Sequence, residues 1–488
     1  MQYINMKKLG LTFVAGVFTL MITSCNKFLD VVPEDKFLIS QVYSNEISVN
    51  NTLNGIYLNI AKPNLYGENL TMGVTDIFGQ YYSTKLPFEF VPPSDWQFFM
   101  KYDQNNQGVM GKLNAIWSNG YTAILNLNSF ISNVHLAEEV VAKDKLDILK
   151  GEAYGLRAML HFDLLRMFGP VYSMNPKDAS IPYLKEANEK IQKILPADEV
   201  LNNVLNDLDS AELLLAKDPI VTSGVDTVFN SNPAEDFYKL RNRRMNYYSV
   251  LILKSRANLY AGNKTEALNY SLKVINEAKR WFPWVDSRLT SPSVNNPDRV
   301  FSTEVVFGLQ NYEMNNSYRN LFTTQASLSG MLMQRNEDVL RSLFDYNEND
   351  FRYRLNFILV PTDNGGLRIF RKFEDISNKS LFRRSFQPLI RISECYLIAA
   401  KCVEDKNQAI QFINNIRRNR GLNDLADNAN INLEINKEYL KDMWGEGQLF
   451  FYNKRRALTS VISGSGSNIS MTLSDYVMRL PNSELENR

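Results

Sequence analysis

The sequence predicts a mainly α fold: a scaffold of degenerate helical hairpins with a loop-rich, irregular half. Three observations carry that expectation. Apolar residues recur at three- and four-residue steps through several long blocks of the chain. Two of those blocks share one pattern of corner, small residue and later apolar contact. Between the blocks, residues 69–108 and 281–355 are rich in Tyr, Phe, Asn, Ser, Pro and Gly without a sustained period. Irregular stretches of that length inside a compact domain are usually functional, and their aromatic content argues against disorder.

The N-terminal segment reads as an address. Lys7 and Lys8 precede an uncharged run over residues 9–22, too short to span a bilayer as a helix. The run ends in Ile22-Thr23-Ser24-Cys25, which resembles the lipobox of bacterial lipoproteins. Residues 1–24 are therefore expected to be a lipoprotein signal peptide and 25–488 a single domain. The Cys25 thiol is the expected acylation site, and two or three acyl chains give stable anchoring where one holds marginally.

Periodicity places the helices next. In "DILKGEAYGLRAMLHFDLLRMFG", Leu149, Ala153, Leu156, Leu160, Leu164 and Met167 form one stripe that Gly169-Pro170 ends. In "LYAGNKTEAL", Gly262 sits at a corner and Ala267 at a close crossing, as at the turn of a tetratricopeptide repeat. Setting Ala409 on Ala267 brings Ile416 onto Val274, so the two blocks share a register. Further helices are expected over 113–136, 197–217 and 435–454.

Composition removes several classes. The 488 residues carry a net charge of +1 with no clustered basic surface, so nucleic acid is not an expected partner. Cys395 and Cys402 lie seven apart on one helix, about 10 Å along its axis, too far to bridge. They read as small core hydrophobes. The two histidines, His135 and His161, match no metal-binding pattern and read as structural or surface groups. "SGSGS" at 463–467 is not a nucleophile elbow and reads as a flexible loop. Asp345, Asn347 and Asn349 hint at a calcium loop that lacks its glycine and its terminal glutamate, and a hydrogen-bonded turn is the simpler expectation. No metal or cofactor is expected. Glu152, Arg157 and Glu446 stand in apolar helices, where pairing of charges explains them better than catalysis.

Six motifs then follow in order: the lipobox with "FLDVVPEDKF", "GEAYGLRAMLHFDLLRMFGPVY", "KSRANLYAGNKTEAL", "LIRISECYLIAAKCVED", "DMWGEGQLFFYNKRRA" and "RLPNSELEN". Together they resemble the SusD/RagB family of outer-membrane nutrient-binding lipoproteins of Bacteroidetes. Gln448-Leu449-Phe450-Phe451-Tyr452 departs from that family's more frequent Arg-Trp-Phe-Asp, and Asn482 stands where a second proline is common. The resemblance implies four degenerate tetratricopeptide units, a ligand site in the irregular half, and no catalysis. It also implies outer-membrane attachment facing the cell exterior, and a SusC-like TonB-dependent transporter as partner.

A sugar ring presents C–H patches that lie well on Tyr or Trp faces, while amides and charges fix its hydroxyls. The irregular segments offer Asp76, Tyr81, Tyr82, Asp95 and Trp96, and then Trp281, Trp284, Tyr312, Asn315 and Tyr318, as candidate ligand contacts. Trp117 and Trp444 fall in helical motifs and are expected in the core. The expected function is capture of an oligosaccharide or polysaccharide. The alternatives are the same architecture binding peptide or another nutrient, and a lipid-anchored glycoside hydrolase.

Overall fold

The computed structural model describes residues 39–83, 95–188, 190–323, 331–334, 337–360 and 367–486. The expected signal peptide and Cys25 lie outside the described residues. No helix among the described residues is long and apolar enough to cross a membrane.

Eight helices form the scaffold: α1 (Glu46–Ile60), α2 (Gln107–Asn133), α3 (Lys143–Phe168), α4 (Ala197–Leu214), α5 (Tyr247–Ala261), α6 (Lys264–Ala278), α7 (Ile392–Cys402) and α8 (Lys406–Arg418). Each packs on the next, giving four successive hairpins. Their starts are set by side-chain caps. Asn45, Asn106, Asn263 and Asp405 each accept from a backbone N–H of the first turn, and Asn246 forms a reciprocal box with Ser249. Gly262 ends α5 at φ +84°, a conformation other residues resist. Ala267, Ala409, Val274 and Ile416 are all buried, so the shared register expected from sequence is present.

From Gly151 onward helix α3 is buried almost all round, and its buried polar residues are paired inside the fold. Arg157 makes a two-pronged contact with Asp207, at 2.7 Å on both arms. Tyr66 donates to Asp163 at 2.7 Å. His161 is stacked on Tyr183 at 3.8 Å and accepts from the Leu184 N–H through Nε2 at 3.0 Å. Burial holds its pKa down at about 3, so it is a neutral structural group.

The irregular half is built on a two-stranded antiparallel sheet, β1 (Val305–Gln310) against β2 (Phe386–Arg391), with Val305 opposite Arg391 and Gln310 opposite Phe386. It is fastened to the scaffold by buried charges. Asp442, the last residue of α9 (Ile431–Asp442), meets Arg391 at 2.8 Å, Arg420 at 3.0 Å and Arg352 at 3.3 Å, and accepts from Ser393 at 2.6 Å. Glu304 completes the knot with two contacts to Arg420, at 2.8 and 2.6 Å.

The helix expected over 435–454 is broken. It stops at Asp442 and resumes as α10 (Leu449–Arg455), because Gly445 (φ +84°) and Gly447 (φ +71°) turn the chain between them. Their N–H groups donate to Asp76 at 2.7 and 2.9 Å. A Cβ on Gly447 would stand 2.1 Å from the Leu70 carbonyl oxygen, which is why this position is glycine. Glu446 between them meets Lys372 at 2.6 Å and Arg391 at 2.7 Å. The serine-glycine run at 463–467 is a tight hairpin connection rather than a flexible loop: it joins Ser460–Ile462 to Asn468–Ser470, and Gly464 lies directly against the Tyr82 backbone.

Candidate functional site

A cleft of about 540 Å³ opens between α1, residues 229–244 and the end of β1. A second, of about 290 Å³, lies beside it, and Leu240 and Arg243 belong to both walls. Together they form one groove with Arg243 at its waist.

Helical spacing builds the first wall. Helix α1 turns Val49, Leu53, Ile56 and Ile60 into the core. Asn50, Asn51 and Asn54 remain on the face that lines the cleft. Arg241 positions the second wall. Its guanidinium is fully buried, gripped by Asp218 at 2.8 Å on both arms and by Glu152. With Arg241 pinned, Arg243 and Arg244 line the groove. Asn246 ties this segment to β1 by donating to the Val306 carbonyl at 2.7 Å, which brings Gln310 and Tyr312 in as the third wall.

The groove has aromatic faces and unsatisfied polar atoms. Tyr312 is 69% exposed on the larger cleft. Phe229 meets Phe382 at 6.0 Å between ring centres, and Trp281 lines the smaller cleft. Gly224 (φ +67°) lies so close to the Trp281 ring that a Cβ would approach it to 2.4 Å. Asn50 is 2% exposed, yet neither its Oδ1 nor its Nδ2 has a partner. Gln310 Oε1, Asn242 Oδ1, Arg243 Nε, Arg383 Nε and Trp281 Nε1 are likewise buried and unpartnered. Buried polar atoms in native folds are normally paired. Seven unpaired atoms lie in the walls of this groove, alongside others elsewhere in the described fold.

The groove's charge is uneven. Arg244 is shared between Glu152 (3.3 Å) and Asn54, and lies 3.4 Å over the Phe237 ring. Lys239 is paired with Asp226. Arg243 donates to the Phe382 carbonyl and lies 5.1 Å over the Phe386 ring, with no carboxylate partner among the described residues. Burial lowers its pKa to about 10, and only the Tyr312 hydroxyl opposes that shift.

The ten candidate contacts separate clearly. Tyr312 and Trp281 line the groove. Asn315 stands nearby, accepting from the Asp375 N–H at 3.3 Å. Trp284 packs on Tyr396 and under Arg420, on the core side. Trp96 is half-buried against Phe99 at 5.2 Å, and Asp95 before it is exposed. Asp76, Tyr81, Tyr82 and Tyr318 are buried and line neither cleft. Asp76 holds the glycine turn at 445–447, and burial pushes its carboxyl up although two backbone N–H groups and Tyr82 pull it down. Tyr82 donates to Asp76 at 3.1 Å, and Tyr81 to the Leu440 carbonyl at 2.9 Å. Trp117 and Trp444 are core residues. At the weak calcium pattern, Asp345 is held by Lys437 at 2.7 Å and Lys441 at 3.1 Å, a pairing with which a cation would have to compete.

Sequence reasoning missed Asn50, Asn54, Phe229, Arg243, Arg244 and Phe382. The asparagines look like an ordinary solvated helix face. The one available signal was the basic run "KLRNRR", four cations in six residues with no interleaved acid.

Comparison with known proteins agrees with this architecture. Residues 27–233 match the family described as "Starch-binding associating with outer membrane", and residues 360–462 match the SusD family. A SusD superfamily protein of Bacteroides thetaiotaomicron superposes with a TM-score of 0.69 at 20% identity, covering 91% of this chain and 98% of that one. A putative sugar binding protein of Bacteroides vulgatus gives 0.69 at 20% identity, covering 90% and 96%. A SusD-like carbohydrate binding protein of the same species gives 0.66 at 18% identity, covering 91% and 96%. At such identities these likenesses show the fold. The "SusD-like protein P2" of Formosa agariphila is 24% identical over 218 residues, a match spanning 42% of this chain and 38% of that relative. Four stacked helical hairpins, an irregular half fastened by buried charges and two family matches that together cover more than half the sequence lead to one assignment: the chain belongs to the SusD/RagB family.

Proposed function

We propose that this protein captures a carbohydrate in the groove between α1, residues 229–244 and the end of β1. Held at the outer membrane by acyl chains on Cys25 and facing outward, it passes the ligand to a SusC-like TonB-dependent transporter. The observation that carries the reading is the coincidence, in one groove, of aromatic side chains and buried polar atoms without partners. Sugar rings supply apolar faces to Tyr312 and Trp281, and their hydroxyls supply both donors and acceptors to the amides.

The role is binding rather than hydrolysis. Glycoside cleavage uses two carboxyl groups flanking the bond, and Asp236 is the one acid among the described residues lining the two clefts. The matched family description and the sugar-binding names of structural neighbours favour carbohydrate over peptide.

Isothermal titration of the full chain in detergent with a panel of oligosaccharides tests the reading. Binding that Trp281→Ala removes is expected. Binding of peptides alone would overturn the ligand class. Intact mass of membrane-extracted protein without acyl chains on Cys25 would overturn the tether.

A further inference from the structure

We propose that the saccharide taken by this groove is anionic, bearing a carboxylate or sulfate ester on its rings, and that Arg243, with Arg383, receives that group at the waist between the two clefts. The inference rests on the reading that the groove binds a saccharide, and adds its charge class.

The argument begins with what this chain does elsewhere with guanidinium groups. Each buried arginine among the described residues is paired with a carboxylate: Arg157 with Asp207, Arg166 with Asp163, Arg256 with Glu394, Arg299 and Arg371 with Glu374, and Arg241, Arg352, Arg391 and Arg420 within the clusters above. Half-buried arginines are less strictly paired: Arg354 and Arg455 make no ion pair among the described residues and lie over the Phe351 and Tyr452 rings. Arg243 and Arg383 are the two such arginines that line the groove. Arg243 is half-buried, its Nε is buried and unpartnered, and what it meets is a carbonyl and an aromatic face. Arg383 repeats the arrangement on the smaller cleft. Its Nε is also unpartnered, and it donates to the Asn296 carbonyl at 2.6 Å, with Asp298 acting on it electrostatically without forming an ion pair.

A partly desolvated cation without a counter-charge is unfavourable unless something supplies one. The depressed pKa of Arg243 reports the same desolvation. A carboxylate or sulfate in the groove would supply the missing counter-charge, more strongly than a neutral hydroxyl. The smaller cleft has no acidic residue in its described wall. The larger cleft has Asp236, which already accepts from the Asn230 N–H at 3.0 Å and makes no ion pair with Arg243. Both amide atoms of Asn50 and the Oδ1 of Asn242, in side chains more than nine-tenths buried in the walls, have no partner and give the groove a polar lining. They would hold the hydroxyls while the arginines read the charge.

The test is affinity electrophoresis of the full chain in detergent through gels holding, one at a time, polygalacturonate, a sulfated galactan, and uncharged galactan, xylan and starch. Wild type, Arg243→Gln and Asn50→Leu are run together, with circular dichroism confirming that each is folded. Retardation by the polyuronate or the sulfated polymer is expected, and which of them acts identifies the anionic group. Arg243→Gln should weaken it at least tenfold, and added salt should weaken it in wild type but little in the variant. Retardation by an acidic polymer that Arg243→Gln leaves intact would overturn the inference. Retardation by uncharged polymers alone, abolished by Asn50→Leu, would overturn it while leaving the carbohydrate reading standing. Absence of retardation by every polymer would overturn both.

Discussion

Replacing Asn50 with leucine should make the protein more stable and, at the same time, a weaker binder. Asn50 lies on α1 with 2% of its surface exposed, and neither side-chain polar atom has a partner. An unsatisfied buried polar group costs about 1–3 kcal/mol. Leucine removes that penalty, is the better helix former by a few tenths of a kcal/mol, and its extra volume can project into the adjoining cleft. Partial crowding of the wall offsets some of the gain. The net expectation is a stabilisation of about 2 kcal/mol. With an unfolding entropy of about 2.1 cal/mol/K per residue, a domain of this size moves by only about 2 °C in Tm for that change. The urea midpoint, followed by far-UV circular dichroism at constant slope, is therefore the better assay. Carbohydrate binding should fall at least tenfold in the same preparation. A variant destabilised by about 1 kcal/mol or more would refute the reasoning, because it would mean the amide is satisfied in the fold.

Three further outcomes follow from the structure. Asp442→Asn leaves three buried guanidiniums without their shared carboxylate and should destabilise by about 3–5 kcal/mol in urea unfolding. Burial alone would raise the Asp442 carboxyl, but Arg391, Arg420 and Arg352 outweigh it and hold it well below the usual range. Its contribution is therefore fully present above the unfolded-state value of about 4 and is lost as pH falls below that, so wild type should lose more stability on acidification than the variant. Gly447→Ala forces a Cβ against the Leu70 carbonyl at φ +71° and should cost about 2–5 kcal/mol, read as a lowered urea midpoint. Tyr312→Ala, at a 69% exposed position, should change stability by less than about 0.5 kcal/mol while weakening carbohydrate binding about tenfold by titration calorimetry.

The scaffold was legible in the sequence because helical hairpins write their contacts locally. Gly262, Ala267 and Val274, and then Ala409 and Ile416, declare a corner and a crossing within a few residues of each other. The motif "GEG" was visible too, but not that it breaks a helix, since the reason lies with Asp76, hundreds of positions earlier. The groove was mostly hidden. Its walls come from α1, from residues 229–244 and from the end of β1, and no local period links them. Aromatic richness pointed to the irregular half, yet composition does not distinguish a ring that faces a cleft, such as Tyr312, from one that floors the core, such as Tyr81 or Tyr82. Asn50 was invisible for a related reason: a polar helix face reads as solvated until a second segment is folded over it.

A crystal structure of the chain with a bound oligosaccharide of four or more sugars tests the central claim most directly. The account predicts a sugar ring against Tyr312, hydroxyls within hydrogen-bond distance of the Asn50 amide, and the chain running past Arg243 toward Trp281. Sugar bound on another face, with this groove open and Asn50 still unpartnered, would contradict it.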